Sequence, residues 1–393
     1  MSSKVMTGLD VFEEDNYWKK LIGYRIGILS NQASLNRKLE HVSSVINRLL
    51  PGHIKALFGP QHGYTGEDQD NMIETPHSFH KRLKVPIFSL YTKTRIPTQE
   101  MLDLIDVLVI DLQDVGTRVY TFSSTILNCL RSCSEQNKMV VVLDRPNPVG
   151  GEKIEGNLLD PELYSFVGPF SLPMRHGLTI GELALLFNRE LKIKCDLQVV
   201  PMKGWQRYML WNETGLRWIM PSPNMPLPDT AMVYPGQVIW EGTNLSEGRG
   251  TCRPFEIFGA PYLDVDKIKK ELSSIPLKGC FLQEFSFKPT FNKWAGKICH
   301  GFFIHVLDPS IYEPYFTSLC ILQTVIKVHP EYFSWKSPPY EYEYNHMPID
   351  LILGRKNVRL VIEKNYPLVL LKKEWEKELK EYMKLKQEYH IYC

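Results

Sequence analysis

Short, almost unbroken apolar runs recur through the first half of the chain: RIGILS (25–30), IKALF (54–58), VPIFSL (85–90), DVLVIDL (106–112) and MVVVLD (139–144). Rich in β-branched residues and lacking polar alternation, they predict strands covered on both faces. The intervening segments EHVSSVINRLL (40–50), TQEMLDLI (98–105) and SSTILNCLRSCSEQ (123–136) carry a helical period. Strand alternating with helix predicts an α/β fold with a mostly parallel, Rossmann-like sheet. From about residue 221 the texture changes to the proline- and glycine-rich PSPNMPLPDTAMVYPG and EGTNLSEGRGTCRPFEIFGAP, read here as a structured hinge. Beyond it, DVDKIKKELSSI (264–275) and PYFTSLCILQTVIKVHP (314–330) read as helices and CHGFFIHVLD (299–308) as a strand. The expected organisation is a domain over residues 1–230 and a smaller α+β domain over 231–393, each with its own core. The tail EWEKELKEYMKLKQEY (374–389) reads as a charged amphipathic helix capping the second domain. No internal repeat interrupts this pattern.

Chemistry gathers just after the apolar runs: Asn31, Gln61 and His62, Asp111 with Gln113 and Asp114, then Asp144, Arg145 and Asn147. In an open parallel sheet the carboxyl ends of the strands share one edge. Gln61, His62, Asp114, Asp144 and, from a later loop, His176 are therefore expected around one cleft. The first strand is followed by NQASLNRK, without a glycine fingerprint or a P-loop lysine, which argues against a dinucleotide or a nucleoside triphosphate. No cofactor is expected.

Composition narrows the partners. The 46 basic residues are interspersed among 44 acidic ones and the net charge is only +2, so nothing calls for nucleic acid. The N-terminus lacks a signal-peptide apolar core, and no stretch of about 20 apolar residues follows. As written the chain reads as cytoplasmic, or as secreted or periplasmic had a leader been removed. Its eight cysteines form no CxxC pair, and His62 and His176 share no metal-ligand spacing, so free thiols and no metal are expected.

Several loops carry candidate roles beside ordinary ones. In DLQDVGTRVYTFSST (111–125), Asp114 could protonate a substrate and Arg118 hold an anion, or the two could form a structural pair near Tyr120. LDRPNPVGG (143–151) holds Asn147 between two prolines, either as a ligand loop or as a tight turn with an Asp144–Arg145 pair. In PMRHGLTIGEL (173–183), Thr179 and Glu182 have capping-box order, whereas His176 has no evident structural duty. The glycine-spaced EGTNLSEGRGT loop brings Glu241, Asn244, Glu247 and Arg249, more chemistry than a passive spacer needs. No G-x-S-x-G elbow supports a serine hydrolase. The most pointed feature is LFGPQHGYTG (57–66), where four Gly and Pro residues fix a loop that presents an amide, Gln61, beside His62. An amide neither gives nor takes a proton at useful pH.

Taken together, GPQHG, SLY, DLQDVGTRVYT, LDRPNPVGG, SFVG, RHGLTIGELA, PSPNMP, YPG, EGTNLSEGRGT and PFEIFGAP resemble, in order and spacing, the NamZ-type exo-β-N-acetylmuramidases, formerly DUF1343. The resemblance runs from TGLDVF to the C-terminal helix. It implies a bacterial glycoside hydrolase with its active site between a Rossmann-like domain and a smaller C-terminal domain, removing β-1,4-linked N-acetylmuramic acid from the non-reducing end of peptidoglycan fragments. The family's first motif reads Gly-Pro-Glu-His-Gly, with the glutamate as favoured catalytic acid; here that position is Gln61. The expected catalytic set is then Gln61, His62, Asp114, His176 and Glu182. Asn31, Arg118, Tyr120, Asp144, Arg145, Asn147, Asn224, Glu241, Asn244, Glu247 and Arg249 are expected to bind a muramyl saccharide. Asp114, Glu182, Glu241 and Glu247 are the acids available to replace the missing proton donor. The alternative is a muropeptide-binding protein that keeps the cleft without turnover.

Overall fold

A computed structural model describes residues 5–70 and 72–393. Seven strands, β1 (Ile26–Ser30), β2 (Ile54–Gly59), β3 (Ser78–His80), β4 (Val85–Ser89), β5 (Val107–Asp111), β6 (Met139–Leu143) and β7 (Leu197–Val200), form one sheet in the order β3-β4-β2-β1-β5-β6-β7. All neighbours pair in parallel except the edge strand β3, which runs antiparallel to β4. The five apolar runs are β1, β2, β4, β5 and β6, so the mostly parallel α/β sheet expected from the pattern is the one observed. The edge strands β3 and β7 are short and half exposed, and correspondingly weak in the apolar pattern.

A second, antiparallel sheet of β8 (Ile257–Ala260), β9 (Cys280–Phe287) and β10 (Cys299–Val306) runs in the order β8-β10-β9. The helices Val265–Leu272 and Pro314–Val328 accompany it. The two-core expectation does not hold: one apolar cluster runs from Leu29, Phe58 and Leu112 through Phe122 and Trp240 to Phe258, Leu322 and Trp375. The opposite face of the large sheet, with Leu9, Phe12, Ile28 and Val45, has a separate core, and two small clusters gather around Trp205 and around Ile257 and Phe287. One continuous apolar interior fixes the second sheet against the first.

The proline-rich stretch is also more ordered than its composition suggested. Pro228–Gln237 is a helix with Pro228 in its first turn, where the missing N–H costs nothing. Gly236 lets this helix press against the helix Pro314–Val328: a Cβ there would sit 2.0 Å from the Pro314 carbonyl oxygen. The turn Val238–Gly242 that follows is buried and carries Glu241.

The C-terminal helix Leu368–Gln387 does not simply cap the second half. Tyr382 donates to the His176 carbonyl and Lys386 to that of Gly151, and the last residues reach Asp144, Glu182 and Arg207 on the first half. All eight cysteines are free thiols. Among the described residues no helix is long and apolar enough to cross a membrane, and no cluster of three or more metal-ligating side chains occurs.

Candidate active site

Gln61 stands two residues beyond the end of β2, after Pro60, in a loop whose next two residues take left-handed backbone, His62 at φ +71° and Gly63 at φ +87°. Glycine accommodates that conformation freely; His62 holds it under local constraint. The loop tucks the Gln61 side chain into a buried cavity lined by His62, Tyr120, Thr121, Asn224, Tyr234, Glu241, Arg249, Phe255, Tyr340 and Glu341. Residues of both halves build it. Its free volume is only about 30 Å³, room for a water, whereas ligand pockets span about 300–1,000 Å³. Nearby, Asn224 Nδ2 donates to the Gln69 carbonyl (2.7 Å) and Asn292 Nδ2 to Asp70 (2.9 Å).

Inside, both polar atoms of the Gln61 side chain have partners. Its Oε1 accepts from the Thr121 hydroxyl at 2.6 Å, and its Nε2 donates to the Tyr91 hydroxyl and to Glu341 Oε1, both at 3.1 Å. Tyr91 donates in turn to Glu341 Oε2 at 2.5 Å. Burial and the nearby negative charge of Glu241 push the Glu341 carboxyl up to about 7, although hydrogen bonds from Tyr91 and Gln61 and the charge of Arg249 pull it down.

Glu241 behaves in the opposite way. Burial alone would raise it, but Arg249 Nη2 at 2.6 Å and the Tyr340 hydroxyl at 2.5 Å outweigh burial and hold it below the usual carboxylate range. Behind it, Glu247 pairs with Arg249 Nε (3.2 Å) and Lys293 Nζ (2.7 Å). His62 shares its Nδ1 with the Asp68 carbonyl (2.7 Å), and desolvation lowers it to about 4, so it is a neutral imidazole near neutral pH.

The cavity therefore brings together Gln61, His62, Tyr120, Asn224, Glu241 and Arg249, with Glu247 immediately behind. The other expected residues lie outside it in buried structural roles. Asp114 Oδ2 accepts from the Gly116 N–H (2.6 Å) and lies 3.3 Å from His176 Nε2, giving His176 the structural partner that the sequence did not reveal. Asp144 accepts from the Arg145 N–H, the Thr179 hydroxyl, the Gly181 N–H and the Tyr392 hydroxyl. Glu182 completes the capping box with Thr179 and pairs with Arg207 at 2.6 Å. Arg145 grips Asp111, and Arg118 donates to the carbonyls of Asn157, Leu172 and Ile352, joining the two halves. Asn31 holds the Pro221 carbonyl, Asn147 that of Leu178 and Asn244 that of Tyr332. The expectation that Asp114, Asp144 and His176 surround Gln61 is thus corrected: none of the three lines its cavity, because each turns to buried partners on the loops around β5 and β6 instead.

Glu341, Tyr340, Thr121 and Tyr91 were missed. The only signal for the first pair was PPYEYEY (338–344), where two prolines stiffen a loop that alternates aromatic and acidic residues. Glu341 and Tyr342 there adopt left-handed φ of +47° and +66°, a costly conformation for such side chains.

Comparison with known proteins agrees with this architecture over the full chain. Residues 26–229 match the family model described as Exo-beta-N-acetylmuramidase NamZ, N-terminal, and residues 232–392 the corresponding C-terminal one. A peptidoglycan beta-N-acetylmuramidase NamZ of Bacillus subtilis (strain 168) is 40% identical over 389 residues, covering 99% of this chain and 92% of that protein. The crystal structure of a DUF1343 family protein from Bacteroides fragilis superposes with a TM-score of 0.89 at 32% identity, covering 100% of both chains. A second such protein from the same organism gives 0.75 at 26% identity and 99% coverage of each.

Proposed function

This chain belongs to the NamZ family of exo-β-N-acetylmuramidases, and on that footing we propose that its cavity takes the terminal N-acetylmuramic acid of a peptidoglycan fragment and that the chain hydrolyses the β-1,4 bond behind that sugar. The observation that carries the reading is the convergence, in one buried cavity, of two carboxyl groups shifted in opposite directions, Glu241 down and Glu341 up, as glycosidic cleavage commonly requires. Tyr120, Tyr234 and Phe255 supply aromatic surface for a sugar ring. Of the four candidate arginines, Arg118, Arg145 and Arg175 lie outside the cavity. Arg249 lines it, and is our assignment for the lactyl carboxylate of the sugar, a match for its planar fork.

The test is incubation with MurNAc-β-1,4-GlcNAc and with a GlcNAc-terminated disaccharide. Release of N-acetylmuramic acid from the first alone is the expected result; release from neither refutes hydrolysis. Gln61 favours a second reading, a binder without turnover. That reading requires measurable affinity for the muramyl disaccharide, no product from the parent chain, and product from Gln61→Glu.

A further inference from the structure

We infer that Glu341 is the proton-transfer residue of this cavity, supplying the carboxyl group that the loop carrying Gln61 no longer presents. The inference rests on the muramidase reading above and assigns the acid within that site.

Three observations of geometry support it. Glu341 lines the cavity, and its two oxygens are fixed by Gln61 Nε2 at 3.1 Å and the Tyr91 hydroxyl at 2.5 Å. A glutamate at position 61 would therefore meet Glu341 at hydrogen-bond distance, and two carboxyl groups so placed hold one proton between them. Exchanging one for an amide removes half of that pair and leaves the other half where it was. The left-handed backbone of Glu341 and Tyr342 is the third observation: the chain accepts local strain to turn this side chain inward.

The surroundings suit a group that cycles its proton near neutrality. Tyr91 and Gln61 face Glu341 from the loops after β4 and β2, with neutral His62 beside them. Glu241, Arg249 and Tyr234 act on it from the second half, and Tyr340 and Tyr342 flank it in sequence. Arg95 stacks on Tyr342, 3.5 Å from its ring centre, and lies 5.2 Å from that of Tyr91. Burial first, and then the charge of Glu241, raise Glu341 to about 7 against the lowering pull of Tyr91, Gln61 and Arg249, while Arg249 and Tyr340 hold Glu241 below the usual carboxylate range.

In the step assigned here, the Glu341 carboxyl proton passes to the glycosidic oxygen as the bond from that oxygen to the anomeric carbon breaks. The bonding pair remains on the leaving O4 of the second sugar. A water oxygen bonds to the anomeric carbon, and the proton released by that water returns Glu341 to its acid form. Glu241 is the anion in the cavity while positive charge develops on the sugar.

The experiment compares the parent, Glu341→Gln and Tyr91→Phe on MurNAc-β-1,4-GlcNAc and on 4-nitrophenyl β-N-acetylmuraminide, whose phenolate leaves without being protonated. Glu341→Gln should slow release from the disaccharide by about 10²–10⁴-fold, with a far smaller loss on the aryl glycoside. The parent should lose activity as pH rises through about 7, where Glu341 ionises, and Glu341→Gln should lack that limb. Tyr91→Phe removes a hydrogen bond that favours the carboxylate and should move the limb to higher pH. Equal losses on both substrates, or an unmoved limb in Tyr91→Phe, overturn the assignment. The limb shift in Tyr91→Phe decides the question alone should Glu341→Gln not fold. An active parent with an unaffected Glu341→Gln removes Glu341 and leaves the muramidase reading standing. A parent that binds N-acetylmuramic acid but cleaves neither substrate removes both.

Discussion

Two buried polar clusters occupy the carboxyl edge of the same sheet, and they have opposite fates. Beyond β6, Asp144 and Glu182 are met by Thr179, Gly181, Arg207, the Tyr392 hydroxyl and the Ile391 N–H, so the C-terminal tail closes the space. Beyond β2 and β4, Gln61 and Tyr91 meet Glu341 and Glu241 around a space that no side chain fills. Both clusters are acidic, buried and built from loops far apart in sequence. The difference lies in what fills the centre: the C-terminal tail packs into the first cluster and makes it part of the fold, whereas the second surrounds a cavity that can receive a ligand group.

Four experiments sharpen that contrast. Glu182→Ala should have the largest effect, about 3–5 kcal/mol of lost stability in urea unfolding, because it leaves the buried Arg207 without its carboxylate. Muramidase activity per folded molecule should not change; a loss of rate without a loss of stability would give Glu182 a role at the site after all.

Next is the pH dependence of the closed cluster. Burial is the main cause that lifts the Asp144 carboxyl from 3.8 to about 6, so the folded chain holds this proton more tightly than the unfolded chain. The resulting stability is complete below about pH 4 and is lost as pH rises through about 6, a change of about 3 kcal/mol. Unfolding of Asp144→Asn at pH 4 and pH 7 should show a correspondingly flatter difference than the parent. An identical slope would remove Asp144 as its source.

Arg249→Lys tests the open cluster. Truncation to alanine would strand the two carboxylates that Arg249 contacts and confuse folding with binding, whereas lysine retains the charge and loses the planar fork. Affinity for N-acetylmuramic acid measured by calorimetry should fall about tenfold, roughly 1.4 kcal/mol, with a smaller change for N-acetylglucosamine. Equal losses for both sugars would take Arg249 away from the lactyl carboxylate. The smallest effect belongs to Tyr392→Phe, which deletes the tail's hydrogen bonds to Asp144 and to the Met202 N–H. About 1 kcal/mol of stability and no change in turnover are expected; slower turnover would show that the closed cluster communicates with the open one.

The five apolar runs, the family motifs and the amide at Gln61 were all legible in the chain, because strand burial and loop composition are written in neighbouring residues. Local pattern also brought out Glu241 and Arg249, which share one glycine-spaced loop. It also gave Glu182 its capping box with Thr179. It failed for Asp114, Asp144 and His176, since a polar residue in a loop at the sheet edge looks the same whether it meets a ligand or a distant partner such as Tyr392. It failed for Glu341 too, which stands 280 residues from Gln61 and meets it only when the second half docks on the first. Periodicity is local and survives in the sequence; saturation of a buried polar group depends on which distant loop arrives beside it, and only the assembled tertiary structure decides that.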